Sequence, residues 1–177
     1  MRMGINDFSA NDFISNMDEN NLSRVFKIFG DEKYSKKIAR EIVKTRKFKT
    51  IKTEDLVQIV DSVKKFQKTK IHNSTKIFQA LRILVNKEIS ELINALINSF
   101  HLIPIGGVIA VVTFHSIEDK IVKFFFKHYS EERNSSRYMP NEEVSDKCFK
   151  LINKKPILPS LKEVNQNPPS RSAKLRY

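Results

Sequence analysis

Residues 108–128, VIAVVTFHSIEDKIVKFFFKH, decide the fold. Val108 to Phe114 form a continuous apolar run rich in β-branched side chains. Such a run marks a strand buried on both faces. It stops abruptly at His115-Ser116, and the acidic pair Glu118-Asp119 follows at once. From about 117 to 129 the pattern turns helical and stacks Ile121, Phe124, Phe125 and His128. Ahead of the run, Pro104-Ile105-Gly106-Gly107 reads as a turn. Helix, glycine turn, buried strand and helix together are the grammar of a doubly wound α/β sheet.

In such sheets function gathers at the carboxyl ends of the strands. His115 and Ser116 sit at that position, and His115 reads as a site residue. Ser116 has two compatible roles, cap of the following helix and site residue, with Glu118 and Asp119 favouring the helix dipole. No G-x-S-x-G elbow surrounds Ser116, so it is not read as a nucleophile. Gly106-Gly107 precedes a strand, whereas phosphate loops follow one. The stretch Asn167-Pro168-Pro169-Ser170 resembles the Asn/Asp-Pro-Pro-aromatic loop of amino-group methyltransferases, but Ser170 replaces the aromatic and no buried strand precedes it. It reads as a Pro-rich connection.

Working outward, residues 9 to about 67 are helical in pattern. Ser9 is placed to cap a first helix. Leu22, Val25, Phe26 and Phe29 share one face of a second, with Gly30 expected to stop it. Tyr34, Ile38 and Ile42 align on a third, whose other sides carry Lys33, Lys36, Lys37, Arg40, Lys44, Arg46 and Lys47. Thr53 is expected to cap a fourth, burying Leu56, Val57, Val60 and Val63. Phe78, Leu81, Val85, Ile89, Leu92 and Leu96 trace an apolar stripe, so one or two helices run from about 75 to 100. Residues 130–147 are polar without periodicity, an expected loop or disordered insert. CFKLINKKPI (148–157) and SAKLRY (172–177) are the last two strand candidates.

The chain of 177 residues carries 32 Lys and Arg against 20 Asp and Glu, a formal charge of +12. That excess favours a polyanionic partner, nucleic acid first and an anionic membrane surface second, or it is simply a charged solvated surface. With Cys148 the only cysteine, no intrachain disulfide and no cysteine metal cage can form. The four histidines, His72, His101, His115 and His128, lack a metal spacing, and no metal is expected. No apolar run approaches the ~20 residues of a membrane span. The expected setting is cytoplasmic.

The segments MRMG, FGDEKYSKKIAREIV, STKIFQALRILVNKEISEL, IPIGGVIAVVTFHSIEDKIVKFFF, KKPILPS and NPPSRSAKLR occur in this order. Together they closely resemble the bacterial 16S ribosomal RNA cytosine-N4 methyltransferase family, the RsmH or MraW proteins, over nearly the whole chain. FQALRILVN, FHSIEDKIVK and RSAKLR are the most specific. The resemblance implies the C-terminal half of a class I, Rossmann-like methyltransferase α/β domain with an inserted helical lobe. Residues 1–8 would be a remnant of the inter-lobe segment, 9–72 the helical substrate-binding lobe, and 73–177 the C-terminal half of the sheet domain.

The family's GGHS and DLGVSS stretches, and the acid that follows its next strand, have no counterpart here. The chain starts inside the family's DMRMG motif, and Asn73 stands where proline usually follows the histidine. The resemblance therefore implies S-adenosylmethionine as methyl donor, with no cofactor-binding residue expected in this chain. It implies 16S ribosomal RNA or the small-subunit particle as partner, and a separate N-terminal half as a further partner. The corresponding alternative is a non-catalytic RNA-binding remnant. By position, His115, Ser116 and Asn86 are pocket candidates. Gln79 and Arg82 adjoin Asn86 on one helical side as RNA-positioning candidates, and Arg40, Arg171, Lys174 and Arg176 are phosphate candidates.

Overall fold

The computed structural model describes residues 8–64, 72–130 and 149–177. The opening MRMG segment, the polar stretch 131–147 and Cys148 lie outside the described residues. The chain divides into two compact units, Met1–Ile89 and Ser90–Tyr177. Sequence reasoning set a boundary at 72/73; in the structure the helix after it packs within the first unit.

Among the described residues of the first unit, five helices surround one core: α1 (Ala10–Asn16), α2 (Glu19–Gly30), α3 (Ser35–Thr45), α4 (Thr53–Val63) and α5 (Thr75–Val85). Ser9 caps α1 as expected, its hydroxyl accepting the Asp12 amide while Asp12 accepts the Ser9 amide. Leu22, Phe26, Ile38, Ile42, Val60 and Ile77 are fully buried, with α2 central against α3 and α5.

Two expectations about helix ends are corrected. Gly30 is the last residue of α2, and Asp31 takes the left-handed position beyond it (φ 48°). A Cβ on Gly30 would lie 2.5 Å from the Lys76 carbonyl oxygen, so the glycine serves the close approach of α2 to the start of α5. Thr53 is the first residue of α4, not its cap; Lys52 is the cap, and its amide donates to Asp55 at 2.9 Å. Inside α4, Ile59 is buried while Val57 and Val63 are half-buried. The inward stripe is Leu56-Ile59-Val60, one i, i+3, i+4 face.

The helical pattern of 75–100 is two helices, α5 and α6 (Glu88–Leu102), broken where Lys87 adopts φ 53°. The second unit holds most of α6, then β1 (Val111–Thr113), α7 (Ser116–Ser130), α8 (Leu161–Gln166), a 3-10 turn (Pro168–Ser172) and β2 (Lys174–Arg176). Its core gathers Leu96, Val122, Phe125 and Phe126, with Leu92, Phe100, Ile109, Val111, Tyr129, Phe149 and Leu151 packed around. Phe100 stacks on Tyr129 at 4.5 Å between centroids and meets Phe149 edge-on at 5.4 Å.

The sheet departs from expectation. Among the described residues β1 pairs only with β2, antiparallel, in the register Val111–Arg176, Val112–Leu175 and Thr113–Lys174. The strand buried on both faces is not observed. Ile109 and Val111 pack inward and Thr113 is buried, but Val108, Val112 and Phe114 are exposed. An apolar β-branched run records a preference for strand and for cover, yet the layers that would supply cover on the outer face are not among the described elements. The architecture is thus a helix-rich mixed α/β one with a small antiparallel sheet.

CFKLINKKPI contributes only an isolated bridge, Ile157 to Leu175, whereas SAKLRY does contain a strand. The Pro-rich connection holds α8, capped by Ser160, which accepts the Glu163 amide, and then the 3-10 turn. On α7 the inward residues are Val122, Phe125 and Phe126, while Phe124 and His128 of the expected stack are exposed.

Candidate functional site

The junction of β1 and α7 shows why the apolar run ends in His115-Ser116. The His115 ring, not the Ser116 hydroxyl, takes the capping role. Its Nδ1 accepts the Glu118 amide at 3.4 Å, and the Glu118 carboxylate accepts the Phe114 amide at 2.9 Å and the His115 amide at 3.4 Å. This is the reciprocal logic of a capping box, with histidine in place of serine. Ser116 opens α7 and is exposed.

The acceptor role of Nδ1 places the ring proton on Nε2, a tautomer assigned by its neighbours. Nε2 lies 3.1 Å from Glu118 Oε1 but makes no aligned hydrogen bond, and it is buried. Burial acts to raise the Glu118 carboxyl; the His115 side chain and the Phe114 amide outweigh it and hold the carboxyl below its ordinary value. The junction therefore holds an ionised carboxylate against the buried edge of an imidazole.

One residue further, Asp119 joins α7 to β2. Its Oδ1 accepts from Arg176 Nε at 2.7 Å and its Oδ2 from Lys174 Nζ at 3.2 Å. The Arg176 hydrogen bond, with Lys174 behind it, lowers the Asp119 carboxyl against the desolvation that would raise it. Arg176 is buried in this clamp. The charges of Lys174 and Arg176 thus hold the strand to the helix. Arg171 is exposed on the 3-10 turn, and Ser170 beside it is buried.

In the first unit, Arg82 and Asn86 converge on Glu88. Arg82 Nε lies 2.9 Å from Glu88 Oε1, Arg82 Nη2 donates to Oε2 at 3.1 Å, and Asn86 Nδ2 donates to Oε1 at 3.2 Å. Gln79 points elsewhere, its Nε2 donating to the Phe29 carbonyl at 3.2 Å and tying α5 to α2. Arg40 is exposed on α3, 3.5 Å from Glu19. From the same basic stretch, Arg46 donates to the Ile14 and Met17 carbonyls and so closes the end of α1.

Sequence reasoning missed two groups. Glu118 was read only as a favourable charge, although its spacing of three from His115 was the available signal. The buried pair Glu32–Lys64 (2.8 Å) gave none, because its members are distant in sequence and neither belongs to an apolar pattern. Lys64 also donates to the Asn73 carbonyl, and the Asn73 amide donates to Asp61, so Asn73 helps anchor the entry to α5.

The sequence model of the MraW methylase family matches residues 1–177. The chain belongs to the MraW methylase family. It is similar to the ribosomal RNA small subunit methyltransferase H of Afipia carboxidovorans, 42% identical over 99% of this chain and 53% of that protein. The protein of the same name from Azorhizobium caulinodans is also 42% identical, over 99% and 51%. That from Bartonella quintana is 41% identical over 99% and 54%. The chain spans about half the length of the curated relatives it matches.

Proposed function

We propose that this chain provides the C-terminal half of a Rossmann-like, S-adenosylmethionine-dependent methyltransferase acting on the N4 amine of a cytidine in 16S ribosomal RNA, in the cytoplasm. The observation that carries the reading is the family match along the entire chain. The helices from residue 9 to 72 would be a lobe inserted in the sheet domain, and β1 with α7 part of that domain.

Among the described residues, three hollows have no carboxylate in their lining. The lining of the first is basic, which would repel a sulfonium cation. In this reading the cofactor's principal contacts would come from a separate N-terminal half.

What this chain would supply is the substrate side. The N4 amine is a weak nucleophile because its lone pair is delocalised into the ring, so rate comes from alignment and from acceptors for its N–H groups. The base must leave its stack to be reached. His115 would act as a positioning residue, its Nε2 edge buried beside Glu118 while its Nδ1 fixes the first turn of α7. Ser116 adds an exposed hydroxyl next to it. Arg40 and Arg171 are the exposed cations proposed for phosphates, with Lys174 a secondary one.

The test is reconstitution. The chain is combined with the complementary N-terminal part of a relative, and N4-methylcytidine is measured by mass spectrometry on small-subunit RNA. Methylation that appears only with both parts, and falls by about 10²-fold or more in His115→Ala, is expected for a lost positioning contact. Full activity in His115→Ala removes the histidine from the site. Absence of methylation with any family N-terminal part overturns the reading. The chain would otherwise be a non-catalytic RNA-binding protein.

A further inference from the structure

The outer face of α3 carries a line of cations that ends at an exposed ring. Lys37, Arg40, Lys44 and Lys47 follow one another at steps of three, four and three. The first three lie within the helix and Lys47 in the turn that closes it. Such steps set side chains on one helix face, about 5–6 Å apart. All four are exposed, while Ile38 and Ile42 on the other side of α3 are fully buried. Phe48 comes next and is 84% exposed. Its amide donates to the Thr45 carbonyl at 3.0 Å, which fixes the turn that presents it. The adjoining cations are engaged elsewhere: Arg46 donates to the Ile14 and Met17 carbonyls, and Lys49 pairs with Asp55. Along the line itself, Lys37 lies 6.0 Å from the centre of the Tyr34 ring, and Glu41 follows it by four residues. Arg40, already a phosphate candidate, is 3.5 Å from Glu19, but both side chains are exposed and such a pair is weak.

We propose that this face holds one strand of RNA, its backbone phosphates on Lys37, Arg40, Lys44 and Lys47 and an unpaired base stacked on Phe48. A row of cations spaced like successive phosphates can follow a backbone, and phosphate can displace the weakly held Glu19 from Arg40. A single exposed phenylalanine by itself marks nothing. At the end of a phosphate track it supplies what a plain polyanion site lacks, a surface for the face of a base. The ring selects an unstacked base, so the strand is single at that point. The same charges would suit an anionic membrane, but a helix lying on a membrane turns its apolar face towards the lipid. The apolar face of α3 is instead closed inside the core of the first unit. RNA is therefore the favoured occupant.

The proposal rests on the reading of the chain as part of an RNA-modifying enzyme, and its test reads binding, not methylation. The probe is a fluorescein-labelled single-stranded RNA of mixed sequence, titrated by anisotropy against the 177-residue chain at several salt concentrations. The variant Lys37→Gln/Arg40→Gln/Lys44→Gln/Lys47→Gln is expected to bind about tenfold or more weakly, with a salt slope reduced by about two to three. The control Lys27→Gln/Lys120→Gln/Lys155→Gln/Lys162→Gln removes equal charge from exposed positions off this face and is expected to show less than half of that effect. Phe48→Ala should weaken binding about fivefold or more with the slope unchanged, as loss of one stacked base does. Phe48→Leu, apolar but without a ring, should lose as much, and Phe48→Trp should restore binding. Circular dichroism melts confirm that each variant is folded. Equal losses in the α3 and control variants, or an unchanged Phe48→Ala, overturn the proposal. Vesicles of phosphatidylcholine and phosphatidylserine are the second probe; vesicle binding lost in the α3 and Phe48 variants while RNA binding holds would assign the face to a membrane and overturn it as well. If the reconstituted enzyme methylates RNA while the α3 variants bind like the parent, the α3 proposal alone has failed. If RNA binding depends on this face and no methylation is ever obtained, the enzyme reading has failed and the α3 proposal stands.

Discussion

The two units handle apolar residues differently. In the first, Leu22, Phe26, Ile38 and Ile42 all have zero exposure, and the helices cover one another. In the second, Val108 (61%), Phe114 (56%) and Phe124 (71%) stand open to solvent. Ile93, Ile97, Phe124 and Phe125 also line an open apolar hollow of about 560 Å³ between α6 and α7. A helix satisfies its backbone internally and asks only that one stripe be covered. A strand needs neighbours for its N–H and C=O groups, and a flat apolar edge without them is prone to pair with other chains. The first unit is therefore expected to be stable by its own contacts, and the second to depend on further cover.

The sharpest way to break this contrast is through the closed core. Phe26→Ala should destabilise the first unit by about 3–5 kcal/mol, the cost of removing a buried aromatic side chain and leaving a void. A denaturant titration followed by helix signal would show it. A loss below about 1 kcal/mol would mean that α2 is not the centre of that core.

The Glu32–Lys64 pair sharpens the same point. Both side chains are almost wholly buried, at 2% and 6% exposure. Lys64→Met leaves Glu32 charged and without its partner, at a cost of about 3–5 kcal/mol. Glu32→Leu combined with Lys64→Met should recover most of that loss. A double variant no better than the single one would show that the hydrogen bonds to Tyr34 and Asn73, and not the ion pair, hold this corner.

Much of the first unit was legible in the sequence. Leu22, Phe26, Ile38 and Ile42 recur at helical spacing, and Ser9 stands where a helix cap is expected, whereas its partner Asp12 is seen only in the structure. Its errors were local: Gly30 looks like a stop until the Lys76 carbonyl is seen beside it. In the second unit the order of helix, turn, strand and helix was legible, while its partners were not. Nothing in VIAVVTF reports which strand lies beside it, and pairing with KLR joins residues more than sixty apart. At the site, position relative to the strand end pointed to His115, but the division of roles did not follow from it. A serine before Glu and Asp is the usual reading of a cap, and only the ring geometry shows that His115 takes the Glu118 amide. Likewise Arg176 looks like a phosphate ligand until Asp119 is found beneath it.

That clamp gives the next test. Asp119→Ala leaves the buried Arg176 without its carboxylate, and a loss of about 1.5–3 kcal/mol is expected, the range for hydrogen bonds to charged groups. Hydrogen exchange should show it in Val111–Thr113 and Lys174–Arg176, with α2 and α3 unchanged. In the parent chain the amides of Val108 and Ile109 are expected to exchange much faster than those of α2. Strong protection at 108–109 would show that the second unit covers its own strand, and the contrast between the units would fail.

The smallest effect is the pH dependence of the same clamp, and its sign follows from the carboxyls. Asp119 is lowered in the folded chain by Arg176 and then Lys174, against desolvation, and Glu118 is lowered despite its own desolvation. A carboxyl whose folded value lies below its unfolded value binds fewer protons when folded. Its stabilising contribution is full above the unfolded value, near 3.8 for Asp119 and 4.5 for Glu118, and is lost as pH falls through the folded one. The second unit should therefore loosen on acidification from about pH 5 downward, where unfolded carboxyls begin to take up protons. Asp55 of the first unit is also lowered, first by Lys49 and then by the Lys52 amide, but Lys49 is exposed and such a surface pair adds little. Exchange measured at pH 6 and pH 3.5, corrected for intrinsic rates, should show β2 losing protection while α2 keeps its own. In Glu118→Gln/Asp119→Asn, β2 should start less protected and change little between the two conditions. Parallel losses in parent and variant would assign the acid response to other carboxyls and detach it from the strand-to-helix junction.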